Sequence, residues 1–105
     1  MKKIQKEIKE WANKNFGEDR PNYWPLLGIG EELGELHHAF LKKEQKIRKG
    51  EELYQDAAKD ALGDMLIYMM DFCAIEGFDF EDILETTWNE VKKRDWTKNP
   101  EEGKQ

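Results

Sequence analysis

The sequence predicts an all-α fold of four helices. Two observations carry this. Apolar residues recur at spacings of three and four in four successive segments, and Gly17, Gly50 and Gly77 fall where those helices should stop. No segment reads as a strand. The 105 residues suit one domain spanning the whole chain, with a core of modest size that a second copy would enlarge.

The first helix runs from about Lys2 to Asn15, on Ile4, Ile8, Trp11 and Ala12 or Asn15. A loop follows from Gly17 to Pro25, and Tyr23 and Trp24 lead it into the next helix. The second helix runs from about Pro25 to Lys49, with proline suited to its first turn and Gly50 to its stop. Leu26, Ile29, Leu33, Leu36 and Phe40 form its apolar stripe, expected in the core. Beside them runs a second stripe of Gly28, Glu32, Glu35 and Ala39, so two glutamates border the core. Beyond Phe40 the helix turns basic, with Lys42, Lys43, Lys46, Arg48 and Lys49.

The third helix runs from about Glu52 to Ile75 and closes at Gly77. Around Asp64 it is apolar on nearly every face, from Ala61 to Met70, which is the pattern of a buried helix. Asp79 caps the fourth helix, with Asp82 three residues on in capping-box fashion. Its core stripe is Phe80, Ile83 or Leu84, Thr87, Trp88 and Val91, and most of the aromatic residues are expected in the core. The tail from Trp96, with Asn99, Pro100 and Gly103, reads as irregular.

Composition narrows the function. Seventeen basic and 23 acidic side chains give a net charge of −6, against a duplex nucleic-acid binder. A small phosphorylated ligand stays open, because bound Mg²⁺ supplies positive charge. The single cysteine, Cys73, reads as a small buried hydrophobe. The first residues lack a signal-like apolar stretch, and the longest apolar run, Met65 to Met70, is too short to span a bilayer. A soluble, cytoplasmic protein without a membrane partner is therefore expected. The chain has no serine, no Walker-type loop and no dinucleotide fingerprint.

The chemistry lies in two acidic clusters, Glu31-Glu32-Leu33-Gly34-Glu35 and Asp60-Ala61-Leu62-Gly63-Asp64. Helical spacing puts Glu32 and Glu35 on one side, and likewise Asp60 and Asp64. A buried carboxylate must be protonated, paired or bound to metal. If the clusters face each other, they make an oxygen-only site for a hard divalent cation, Mg²⁺ or Mn²⁺ rather than zinc. Surface acids paired with lysine or arginine are the plainer alternative, good for Glu31 and poor for Asp64. Gly34 and Gly63 each cost about 1 kcal/mol in a helix relative to alanine, so each calls for a reason such as close helix approach.

Glu35-Leu36-His37-His38 has the Glu-x-x-His spacing of di-iron bundles, but the third helix supplies no second copy, which favours a surface or capping role for both histidines. Lys59 and Arg94 are the basic residues chosen to reach a phosphate tail. Tyr68, one turn after Asp64 on the same face, can pack against a ligand, and Phe16 and Trp24 can stack on a base.

Glu32-Leu33-Gly34-Glu35, a basic linker, then Asp60-Ala61-Leu62-Gly63-Asp64-Met65-Leu66-Ile67-Tyr68 resembles the MazG-like all-α nucleoside triphosphate pyrophosphohydrolases over about Leu26 to Trp96. Where that family most often has the glutamate of Glu-x-x-Asp, this chain has Ala61, and the acid sits one residue earlier at Asp60. The resemblance implies an antiparallel four-helix bundle-like fold completed by oligomerisation, as a homodimer or homotetramer. It implies Mg²⁺-dependent hydrolysis of a nucleoside or deoxynucleoside triphosphate to the monophosphate and pyrophosphate. Glu32, Glu35, Asp60 and Asp64 would hold metal, and Glu35 or Glu31 would orient or deprotonate the attacking water. Tyr68 matches a position that contacts base or sugar in a related deoxycytidine triphosphate pyrophosphatase. Two other readings stay open: a helical interaction module without catalysis, and a carboxylate-bridged di-iron helical protein.

Overall fold

A computed structural model describes residues 1–46 and 50–101. It contains four helices, α1 (Lys2–Phe16), α2 (Tyr23–Glu44), α3 (Gly50–Glu76) and α4 (Phe80–Val91), and no strand among the described residues. No helix there is long and apolar enough to cross a membrane.

Local chemistry sets most of the ends. Gly17 stops α1 at φ 96°, a left-handed backbone that favours glycine, while its N–H donates to the Asn13 carbonyl at 3.0 Å. Gly77 does the same for α3 at φ 75°. There the Phe78 N–H reaches back to the Cys73 carbonyl at 2.8 Å and the Gly77 N–H to Ala74 at 3.3 Å, the paired bonds of a Schellman ending. Asp79 caps α4 by accepting from the Asp82 N–H at 3.0 Å, as its spacing predicts.

The ends of α2 and the start of α3 differ from expectation. The helix begins two residues early, at Tyr23, and Pro25 still lies in the first turn, where a missing N–H leaves no intrahelical bond unmade. It ends at Glu44, and Lys46 turns left-handed at φ 57°. The expected extension over residues 47–49 lies outside the described residues. Gly50, expected to stop α2, instead opens α3.

Polar contacts fasten α1 to the α3–α4 turn. The Gln5 side-chain amide donates to the Phe78 carbonyl at 2.9 Å and accepts from the Phe80 N–H at 2.8 Å. Lys2 bridges Asp79 at 2.8 Å and Asp82 at 2.9 Å. The Lys2 hydrogen bond is the main cause that holds the Asp79 carboxyl below the usual range, followed by the backbone N–H of Asp82.

The long α3 is the hub. It packs extensively on α2, then on α1, while α4 touches only α1 and α3. The result is open and flat, 45 × 41 × 22 Å, with a radius of gyration of 17.4 Å. A compact domain of this length would have about 13 Å.

The covered surface is not the one the stripes suggested. On α2 the small stripe is buried, through Gly28, Glu32 and Ala39, whereas Leu26, Leu33 and Phe40 are exposed. Small residues let α2 and α3 approach closely, and α1 and α2 do not pack together, so α1 does not cover the large stripe. Among the described residues, the buried apolar side chains are Ala12, Pro25, Ala39, Ala61, Met65, Met70 and Cys73. The α4 helix buries no residue, so its predicted core stripe stands open, with Ile83, Leu84 and Trp88 exposed. Trp11, Phe16, Tyr23, Trp24, Phe78 and Trp96 are likewise exposed rather than core. Cys73 is buried as expected, and burial pushes its thiol up. Up to residue 101 the tail forms turns in which Asp95 accepts from Thr97 and Lys98, and the expectation for residues 102–105 lies outside the described residues.

Candidate functional site

Helix α2 gathers Glu31, Glu32 and Glu35, each offering a carboxylate oxygen within 4.8 Å of the others. Glu32 is only 8% exposed, while Glu31 and Glu35 reach solvent. Burial is the main cause that pushes the Glu32 carboxyl above its usual range. The charges of Glu35 and Asp64 add to it, as does a hydrogen bond with Glu35. Asp64 on α3 lies outside the tight triad but lines the same cavity as Glu32, about 230 Å³ in volume. Acids of two helices therefore act on one buried carboxylate.

Asp64 is exposed, against the expectation that its apolar run marks a buried helix. The run contains Leu62, Leu66 and Ile67, which are also exposed, because the flat chain leaves faces of α3 uncovered. Among the described residues, Glu31, Glu32, Glu35 and Asp64 form no salt bridge. Pairing with lysine or arginine therefore does not account for them. A set of uncompensated carboxylate oxygens is the donor chemistry that a hard divalent cation takes.

Tyr68 stands beside the acids. Burial first, then the charges of Glu31, Glu32, Asp64 and Glu35, push its hydroxyl above the usual range. Its ring lies against α2 at Gly28, where a Cβ would meet ring atoms at 2.5–2.7 Å. Gly28 is one turn before Glu32, so the ring is seated next to that carboxylate. Gly34 and Gly63, the two glycines for which sequence predicted close approach, have nothing within 4 Å of an added Cβ. The glycine that close packing requires is Gly28, and its place in the small stripe was its signal.

The cavity's apolar wall comes largely from α1. Trp11 and Phe16 line it with their rings edge to face, centroids 5.5 Å apart. Phe16, Tyr68, Glu32 and Asp64 thus line one cavity. Asp60 and Lys59 are exposed and do not line the cavity, while Ala61 between Asp60 and Leu62 is buried. Trp24 lies in the first turn of α2 and Arg94 in the turn after α4, both outside the lining. His37 is exposed and borders a separate open cavity with Phe40 and Tyr54.

Sequence reasoning missed Arg20 and Asp71. Arg20 comes from the α1–α2 loop, yet its side chain is 2% exposed and that of Asp71 is 10% exposed. Its Nη2 donates to Asp71 Oδ1 at 2.5 Å and its Nε to Oδ2 at 3.3 Å. Its Nη1 donates to the Gly17 carbonyl at 3.0 Å and to Asn13 Oδ1. Asp71 also lines the cavity. Its position three residues after Tyr68, on the same helix side, was a usable signal. Nothing in the Asp19-Arg20-Pro21 loop marks the arginine as buried.

Comparison with models of protein families, with curated proteins and with solved structures finds none that matches this chain.

Proposed function

We propose that this chain is a Mg²⁺-dependent nucleoside triphosphate pyrophosphohydrolase of the MazG-like kind, taking a nucleoside or deoxynucleoside triphosphate and water to the monophosphate and pyrophosphate. The observation that carries the reading is Glu32. It is a buried carboxylate with no cationic partner among the described residues, crowded by Glu31, Glu35 and Asp64, at a cavity with aromatic walls.

Glu32, Glu35 and Asp64 would hold the ion. Bound Mg²⁺, or Mn²⁺ in its place, supplies neutralisation of the triphosphate charge and polarisation of the phosphorus under attack. The protein's own task is positioning, since phosphoryl transfer needs little covalent chemistry from side chains. Glu31 and Glu35 reach solvent beside Glu32, where either can orient a water and take its proton. Water attack at the α-phosphorus breaks its bond to the bridging oxygen, and pyrophosphate leaves. The aromatic end, with Trp11, Phe16 and Tyr68, takes the base and sugar.

Assembly belongs to the same reading. The exposed stripe of Leu26, Leu33 and Phe40 and the open face of α4 need a cover that the flat chain does not supply. A second copy, in a homodimer or homotetramer, provides it. In such an assembly Asp60, Lys59, Trp24 and Arg94, all outside the cavity of one chain, are free to meet a neighbour's site. The same exposed faces also suit a helical interaction module without catalysis.

A panel of canonical and modified triphosphates with Mg²⁺, followed by ³¹P NMR, tests the reading. The expected products are monophosphate and pyrophosphate. No turnover on any member, together with no thermal stabilisation by Mg²⁺ and a nonhydrolysable nucleotide, would favour the interaction module.

A further inference from the structure

Asp71 lines the same cavity as Glu32 and Asp64. It lies seven residues after Asp64, about 10 Å along α3 at 1.5 Å per residue. Tyr68 lies between the two, and all three line the same space. That span is close to the length of a sugar and a base. The cavity volume, about 230 Å³, is below the range of drug-sized pockets and suits a single base. With phosphates at Glu32 and Asp64 and the sugar beside Tyr68, the base enters between the α1 aromatics and Ile67 and brings its outer edge to Asp71.

An ionised carboxylate only accepts hydrogen bonds, and it has about four acceptor sites. Arg20 occupies two of them, one on each oxygen. Arg20 is a positioning residue: anchored to Gly17 and Asn13, it holds Asp71 at the cavity wall and does not itself line the cavity. What Asp71 can still recognise is a donor. Adenine, cytosine and guanine each carry a protruding amino group. Uracil and thymine present an N–H recessed between two carbonyl oxygens, which a carboxylate repels.

Resting on the pyrophosphohydrolase reading, we infer that Asp71 selects the substrate's base by accepting a hydrogen bond from an exocyclic amino group, disfavouring uracil and thymine nucleotides.

The test uses two near-isosteric pairs, cytidine against uridine and adenosine against inosine. Each nucleoside is titrated without metal into the whole protein, with the Trp11 indole N–H followed by NMR. The amino-bearing member of each pair should bind at least about tenfold more tightly, the scale of one hydrogen bond to a charged group. The double variant Arg20→Gln with Asp71→Asn removes both charges together, so neither is left buried alone, and it should bring both ratios close to one. If that variant does not fold, the wild-type ratios decide by themselves. Equal binding within both pairs, or no response of the Trp11 signal to any of the four, overturns the inference. Equal kcat/KM for CTP and UTP would overturn the selection and keep the hydrolase. An amino preference without turnover of any triphosphate would keep the selection and remove the hydrolase.

Discussion

The Tyr68 ring occupies the space that a side chain at position 28 would need: three of its carbons lie 2.5–2.7 Å from where a Gly28 Cβ would stand. The missing methyl lets α3 seat an aromatic ring against α2, one turn from Glu32. Gly28→Ala should therefore destabilise the fold by about 1–3 kcal/mol, the usual cost of overpacking. Gly34→Ala has open space around it and should stabilise by up to about 1 kcal/mol through helix propensity. Denaturant midpoints of the two variants should move in opposite directions.

Glu32 trades stability for its site. Its carboxyl is pushed up by burial and by its acidic neighbours, so the folded chain holds this proton more tightly than the unfolded chain does. Stability from this group is therefore lost as pH rises from the ordinary glutamate range through the raised value. Without metal, Glu32→Gln should melt higher than wild type at neutral pH, and the gap should narrow in acid. On the proposed pyrophosphohydrolase function, the same variant should lose pyrophosphate release. Thermal melts at several pH values, each with and without Mg²⁺, check both outcomes.

Arg20 and Asp71 form a buried pair, so removing one partner leaves the other uncompensated. Arg20→Ala should cost about 3–5 kcal/mol, a large share of a small domain's stability. The pairing of Lys93 with Glu90, at 3.7 Å in open solvent, makes the contrast. Lys93→Ala should leave the denaturant midpoint unchanged.

The α4 cap should be sensitive to acid. Lys2 and the Asp82 N–H hold the Asp79 carboxyl below its usual range, so its contribution is present above the ordinary aspartate value. It is lost as pH falls through the lowered one. Protection of the Asp82 amide against hydrogen exchange should fall over that acid range in the wild type. Asp79→Ala should already lack the protection at neutral pH.

How much of this was legible in the sequence depends on how local the cause is. Gly17, Gly77 and the Asp79 cap act within a few residues, and the sequence placed all three. Glu32 was legible because it shares a helical stripe with Gly28 and Ala39. Which α2 stripe would be covered was not legible, since both have helical period and the choice rests on how closely α3 can approach. The same global cause exposes Asp64 and the face of α4, whose apolar residues have no cover in a single chain. Arg20 shows the limit most plainly: only the folded chain brings that loop residue to Asp71, 51 positions away.

The central claim is that acids of α2 and α3 hold one kind of ion together, and Mn²⁺ binding followed by electron paramagnetic resonance tests it most directly. Saturable binding in the wild type should weaken at least about tenfold in both Glu32→Gln and Asp64→Asn, as expected when a ligand is lost. Binding by Asp64→Asn as tight as by the wild type would contradict the account, because α2 alone would then be the site.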